Sequence, residues 1–270
     1  MKMKKTLFIV VVLVLVAAFG ISAFMVGDYL VEGKQQAERF DELSEIANGQ
    51  SAQATETTAA TESTAAAEET TEATEADEGG MLSGYEEIYG MNDHTVGWIK
   101  MEGTQMNYPV MQTPNDPNYY LYRSFDKTES ARGSIYAREV CDINEPSDNI
   151  TIYGHNMADG SMFACLHNYI NKNAWDNNSL IFFDTLYEYH TYKIFAVFKT
   201  SANIGQGFSY HQFVDAENEA EFNAFVSKCK ELSFYDTGIT PVYGDKLICL
   251  STCEYTLDNG RLVVAAVRIT

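Results

Sequence analysis

Lysine and arginine are missing altogether between Asp41 and Glu78, a stretch that holds eleven acidic residues. Over the 270 residues, 18 basic side chains face 38 acidic ones, for a formal net charge of -20. The part from Met81 to Thr270 keeps that sign, with 24 acids against 13 bases. Such a surface repels phosphate backbones, so no nucleic acid is expected as a partner. Aromatic residues are missing from Asn48 to Gly80, where Ala, Thr, Glu and Ser predominate. That segment cannot bury enough apolar surface to offset its chain entropy, so it is expected to be a disordered spacer. Charged residues are missing from Leu7 to Val26. About 20 residues in a helix span roughly the 30 Å hydrocarbon core of a bilayer. Lys2, Lys4 and Lys5 precede this run, and Asp28 and Glu32 follow it. The positive-inside rule then keeps the N-terminus in the cytoplasm and sends the rest outside. The rival reading is a cleaved signal peptide, since Gly20, Ser22 and Ala23 are small enough for a cleavage site. The length of the apolar run favours an uncleaved anchor.

Three regions follow: an anchor over 1–27, an extracytoplasmic stalk over 28–80 and a folded domain over 81–270. The last is long enough to bury a core without disulfide staples. Its five cysteines (141, 165, 229, 249 and 253) cannot all pair internally. An odd thiol in an exported domain is intermolecular or reactive.

Beyond Asp28, Phe40, Leu43 and Ile46 have helical spacing and can continue the membrane helix outward. From Met81 the composition turns aromatic and β-rich. Alternation predicts strands over Thr95–Met101, Tyr108–Gln112, Gly133–Ala137, Asn149–Tyr153 and Tyr192–Thr200. Short helices are expected at Tyr85–Gly90 and at Ser161–Ile170, the latter capped by Ser161. Asp215–Leu232 reads as the clearest helix, with Phe222, Phe225, Val226, Cys229 and Leu232 on one stripe. Lys246–Cys253 and Arg261–Ile269 form a closing hairpin around Asp258-Asn-Gly260. The fold class is mainly β with helices, a twisted or closed mixed sheet.

Alternation along the first arm of that hairpin places Leu247, Cys249, Ser251 and Cys253 on one face. Cys249 and Cys253 are then about 13 Å apart along the strand. That is too far for a disulfide, which needs Cα atoms within about 7 Å, or for a shared metal ion. Cys165-x-His167 is no compact ligand pair either, so no metal is expected. Cys253 ends the strand beside exposed polar residues, where a reactive thiol and a buried structural one remain alternatives. His155 follows a strand through Gly154 and precedes a loop, a position that presents side chains for chemistry. Arg261 opens the strand across the hairpin from Cys253. A neighbouring cation lowers a thiol's pKa from about 8.5 and favours the attacking thiolate. Imidazolium can protonate a leaving amine, and guanidinium can bind the oxyanion without losing its proton.

The segments Ile152-Tyr-Gly-His155-Asn-Met-x-Asp-Gly-Ser161-Met-Phe163, Leu250-Ser-Thr-Cys253 and Arg261-Leu-Val-Val together resemble the sortases, of the class B type. Val96-Gly-Trp-Ile99, Gly103-Thr104, Tyr108-Pro-Val110 and Tyr119-Tyr-Leu121 resemble them too. The likeness covers about Tyr85–Thr270. It departs from the family's Thr-Leu-x-Thr-Cys, which has Cys249 at its first position here. The resemblance implies an eight-stranded β-barrel with an extra helix before the last hairpin. It implies a membrane-anchored cysteine transpeptidase outside a Gram-positive cell, acting on exported proteins with a C-terminal sorting signal of Asn-Pro-x-Thr-like form. Cys253 would attack after the Thr, and a peptidoglycan amine would resolve the thioester. His155 would be general acid and base, and Arg261 the oxyanion clamp. Ser251, Glu254 and Leu121 would contact substrate. No cofactor is required.

An L,D-transpeptidase or a cysteine peptidase also uses Cys and His. Neither accounts for Arg261, and the Ser-His-Gly-Cys-type cluster of the former is absent from the sequence. An inactive stalked binding module is the non-enzymatic alternative.

Overall fold

The computed structural model describes residues 2–56, 80–203 and 205–270, the side chains of 2–7 and 49–56 excepted. Two compact units divide it, one ending at Glu42 and one running from Leu43 to Thr270. In the first, helix α1 (Lys2–Glu56) passes without a break through the apolar run. The apolar part of the helix is exposed, with a mean hydropathy of 3.0, and is long and apolar enough to cross a membrane. The helix continues beyond Asp28 as expected. It also passes Asn48 and stops only at Glu56, inside the segment expected to be disordered. Ala, Gln and Glu are good helix formers, so the last turns persist on propensity. The remainder of that spacer, 57–79, lies outside the described residues.

The second unit begins on the same helix. Leu43 is fully buried, and the Ser44 hydroxyl accepts from Asn107 Nδ2 at 2.7 Å. Helix α2 (Tyr85–Met91) leads into a closed barrel of eight strands. These are β1 (Thr95–Lys100), β2 (Asn107–Met111), β3 (Ile135–Ala137), β4 (Asn149–Tyr153), β5 (Leu180–Thr185), β6 (Thr191–Ser201), β7 (Leu247–Glu254) and β8 (Gly260–Arg268). Their order around the barrel is β1-β2-β3-β4-β7-β8-β6-β5. The pairs β2/β3 and β4/β7 are parallel and the others antiparallel. The eight-stranded barrel implied by the resemblance is therefore present. Strand β5 and the short helix α3 (Lys172–Asn177) before it were not anticipated.

Strand alternation splits the core in two. Ile248, Leu250, Leu262, Val264 and Ala266 are fully buried on the inner face. The outer face of β6, β7 and β8 would be exposed but for helix α4 (Glu219–Leu232). Its Phe222, Phe225, Val226 and Cys229 pack on Leu247, Cys249, Val263, Ala265 and Val267. This is the extra helix before the last hairpin, with the predicted apolar stripe. It starts at Glu219 rather than Asp215, because Asn218 caps it by accepting from Glu221 N at 3.2 Å. Asp215 instead accepts from the Asp148 amide at 2.9 Å.

The expected helix at Ser161–Ile170 is corrected to a 3-10 helix at Ala164–Ile170 without a side-chain cap. Ser161 is engaged elsewhere. Its hydroxyl donates to Asp159 Oδ1 at 2.7 Å and accepts from Arg132 Nη1 at 3.1 Å. Buried Arg132 also holds Asp159 Oδ2 at 2.5 Å. The loop after His155 is thus tied down by an ion pair.

Candidate active site

The hairpin makes the first part of the site. Cys253 on β7 and Arg261 on β8 are directly opposite each other. Opposed residues of an antiparallel pair share a face, so thiol and guanidinium project together. Gly260, opposite Glu254, has room only for hydrogen: a Cβ there would lie 2.4 Å from the Glu254 carbonyl oxygen. Arg261 Nη1 donates to the carbonyl oxygens of Gly260 at 2.8 Å and Asn259 at 3.3 Å, which aims the guanidinium.

Strand β4 supplies the second part. Its parallel register with β7 runs to Tyr153 and Ser251. Gly154 then bends the chain where no side chain fits, since a Cβ would sit 2.5 Å from Ile135 Cδ1. His155 follows, with Nε2 2.7 Å from the Leu121 carbonyl oxygen and its ring 5.8 Å from that of Tyr122. A carbonyl only accepts, so Nε2 carries a hydrogen and a neutral ring keeps Nδ1 as acceptor.

A single cleft of about 280 Å³ is lined by Cys253, His155, Arg261, Ser251 and Leu121. Five of the six candidate residues are therefore brought together. Glu254 is the exception. Its side chain is buried, with Oε1 2.7 Å from Lys199 Nζ and both oxygens accepting from the Thr256 amide. Burial would raise its pKa, but the bonds from Lys199 and Thr256 outweigh it and bring the carboxyl down to about 2. Glu254 thus fastens the β7–β8 loop from within.

Tyr136, Tyr153, Tyr210 and His211 also line the cleft. Buried Tyr210 shares a 2.5 Å hydrogen bond with the Ser251 hydroxyl. Burial pushes its own hydroxyl up to about 12, against the bond to Ser251. Burial lowers the His211 pKa, helped by the nearby charges of Arg138 and Arg261. Alternation on β4 exposes Tyr153 as a candidate. Tyr210 and His211 come from a short 3-10 helix, Tyr210–Gln212, with no such signal. Cys165 is buried, and His167, read as unremarkable, lies 3.1 Å from the Cys253 carbonyl oxygen. Among the described residues no group of three His, Cys, Asp or Glu side chains gathers as metal ligands.

All five thiols are free, and Cys253 is the one that is not buried. Burial raises the pKa of Cys141, Cys165, Cys229 and Cys249. An accessible thiol, an imidazole and an oriented guanidinium around one cleft have the chemistry for acyl transfer through a thioester.

Known proteins carry the same arrangement of chain. The sequence model of the Sortase domain matches residues 99–269. Sortase B of Staphylococcus aureus is 29% identical over 184 residues, covering 67% of this chain and 73% of that protein. Sortase B of Listeria monocytogenes is 30% identical over 187 residues, covering 68% and 73%. Among solved structures, the Staphylococcus aureus sortase B-substrate complex aligns with a TM-score of 0.73 at 24% identity, over 89% of this chain and 99% of that one. At that identity the structural likeness speaks for the fold, and the sequence matches speak for descent. The chain belongs to the sortase family and is of the class B type.

Proposed function

We propose that this cysteine transpeptidase cleaves exported proteins after the Thr of an Asn-Pro-x-Thr-like C-terminal sorting signal and joins them to a cell-wall amine. The observation that carries the reading is the shared cleft of Cys253, His155 and Arg261, two of them cross-strand partners. Cys253 gives its thiol proton to His155, and the resulting thiolate attacks the Thr carbonyl carbon. The oxygen takes up negative charge, which the Arg261 guanidinium binds. The C–N bond then breaks, the leaving amine takes a proton from His155, and a thioester remains. A peptidoglycan amine gives its proton to His155, attacks the thioester and expels the thiolate, forming a new amide. Leu121 and Ser251 line the groove and are read as substrate contacts. Glu254 is read as a residue that shapes the loop between Cys253 and Arg261.

The N-terminal helix is read as an uncleaved anchor over 1–27, with a stalk over 28–80 and the catalytic domain over 81–270 outside the membrane. The supporting observation is the long exposed apolar helix. Sequencing the N-terminus of the mature protein checks this, and a start after residue 23 would refute it.

The activity test uses the full chain in detergent micelles with a small library of Asn-Pro-x-Thr peptides, with and without an added amine. Mass spectrometry should show cleavage after Thr and amine-dependent ligation, both lost in Cys253→Ala while circular dichroism is unchanged. Full activity in that variant eliminates the assignment. Hydrolysis without ligation at any amine concentration makes the protein a cysteine peptidase.

A further inference from the structure

We infer that Asn156, with His167 beside it, is a positioning residue that fixes the peptide group of Cys253 relative to His155. The inference rests on the transpeptidase reading above and adds two residues to its machinery.

Strands β4 and β7 form a parallel ladder. Its last backbone rung joins the Gly154 amide to the Ser251 carbonyl oxygen at 3.1 Å. In a parallel ladder the next rung falls two residues on, from the amide of residue 156 to the carbonyl of residue 253. Here the backbone of Asn156 has turned away and pairs with Met162. The side chain makes the rung instead: Asn156 Nδ2 donates to the Cys253 carbonyl oxygen at 3.2 Å. A side-chain amide reaches farther than a backbone N–H. The backbone can therefore leave the sheet and carry His155 over the cleft while its register with Cys253 is kept.

His167 supports the same contact from the 3-10 helix. Its Nε2 lies 3.1 Å from the Cys253 oxygen and 3.0 Å from Asn156 Nδ2. With Nε2 protonated, His167 donates to the carbonyl as well. With Nδ1 protonated, Nε2 accepts the second Asn156 hydrogen and holds the amide in place. Either tautomer leaves the carbonyl with a donor. Arg261 faces Cys253 from β8 on the other side, while the Cys253 carbonyl points toward β4 and is held from there.

These contacts lie on the backbone of Cys253, and neither Asn156 nor His167 lines the cleft. Loss of the rung should misplace sulfur and imidazole while leaving the peptide groove as it was. A displacement of about 1 Å at reacting groups costs about a hundredfold in rate.

The test uses the full chain in detergent micelles, a cleaved Asn-Pro-x-Thr peptide, and Cys253→Ala as the blank. Asn156→Asp keeps the size but places an acceptor against the carbonyl. It should lower kcat by about tenfold to a hundredfold, with KM within about twofold of the parent. His167→Ala should lose rate and His167→Gln, whose amide can still donate, should restore most of it. Asn156→Ala and His167→Ala act on one oxygen, so their combined loss should fall short of the product of the single losses. Alkylation of Cys253 by iodoacetamide needs no substrate, and it should slow in Asn156→Asp because His155 no longer supports the thiolate. An unchanged kcat, a loss carried by KM, or independent effects of the two residues would overturn the inference. Unchanged alkylation overturns it even if no library peptide is cleaved, a result that by itself would count only against the transpeptidase reading.

Discussion

Cys253 and Arg261 face each other at the open end of the β7–β8 ladder, and Thr200 of β6 stands next in line beyond Arg261. The same face carries Cys249 opposite Ala265 farther along, where α4 covers it. The core under α4 takes in Cys249 and not Cys253. One strand therefore presents two thiols of the same orientation, one sealed in a core and one lining the cleft.

That contrast predicts selective chemistry. Iodoacetamide on the native protein should label Cys253 and leave Cys141, Cys165, Cys229 and Cys249 unlabelled until denaturant is added. Their burial keeps them as thiols, with Cys165 pushed up to about 11. Peptide mapping reads the sites. Equal labelling of Cys165 and Cys253 in the native state would contradict the burial argument.

Arg261 is oriented by two carbonyl oxygens through one of its nitrogens. A lysine keeps the charge but has neither the planar fork nor those paired donors. We expect Arg261→Lys to lose about a hundredfold or more in kcat/KM, the scale of removing an oxyanion donor. Steady-state cleavage of the sorting peptide measures it. Near-normal activity would mean that a point charge suffices.

The hydroxyls of Ser251 and Tyr210 are bonded to each other in a buried setting. Removing either partner strands the other, at a cost of about 1–3 kcal/mol. Ser251→Ala and Tyr210→Phe should each destabilise the protein by that amount. The double variant should cost less than their sum. Urea unfolding of the three variants tests this, and strict additivity would show that the bond contributes nothing.

Two carboxyls should shape the pH dependence of stability in opposite senses. Burial raises Asp184 from 3.8 to about 6, against hydrogen bonds from the Tyr85 hydroxyl and the His190 amide. Its folded pKa exceeds the unfolded one, so the native state binds the proton more tightly. Stability then falls as pH rises from about 4 to about 6, and Asp184→Asn should flatten that slope. Glu254 is lowered from 4.5 to about 2, so its contribution is present above about 4.5 and lost as pH falls toward 2. In Glu254→Gln the acid-side loss should shrink. Melting temperatures from pH 3 to pH 8 separate the two, and a slope unaltered in Asp184→Asn would place the titration elsewhere.

Much of this protein is local in origin. A charge-free apolar run makes a long helix, and period-two alternation makes the two strands of the β7–β8 hairpin. The tight turn expected at Asp258-Asn-Gly260 is instead the loop 255–259, with Gly260 already paired to Glu254, and it is this closure that sets Cys253 opposite Arg261. His155 stood out through the glycine before it and the loop after it. The helix expected from Ser161 failed because the Ser161 hydroxyl bonds Asp159 and Arg132, and Arg132 is far away along the chain. Strand β5 has alternating burial with Ile181 and Phe183 inside, but its partners β1 and β6 are what make it a strand.

What folding alone decided is which distant segments meet. Parallel pairing of β4 with β7 brings His155 to Cys253, and no nearby residue encodes that pairing. The same holds for Tyr210 over Ser251, for His167 at the Cys253 carbonyl, and for Glu254 turned inward to Lys199. Periodicity reports which face of an element is apolar, whereas contacts across the barrel depend on closure of the whole sheet.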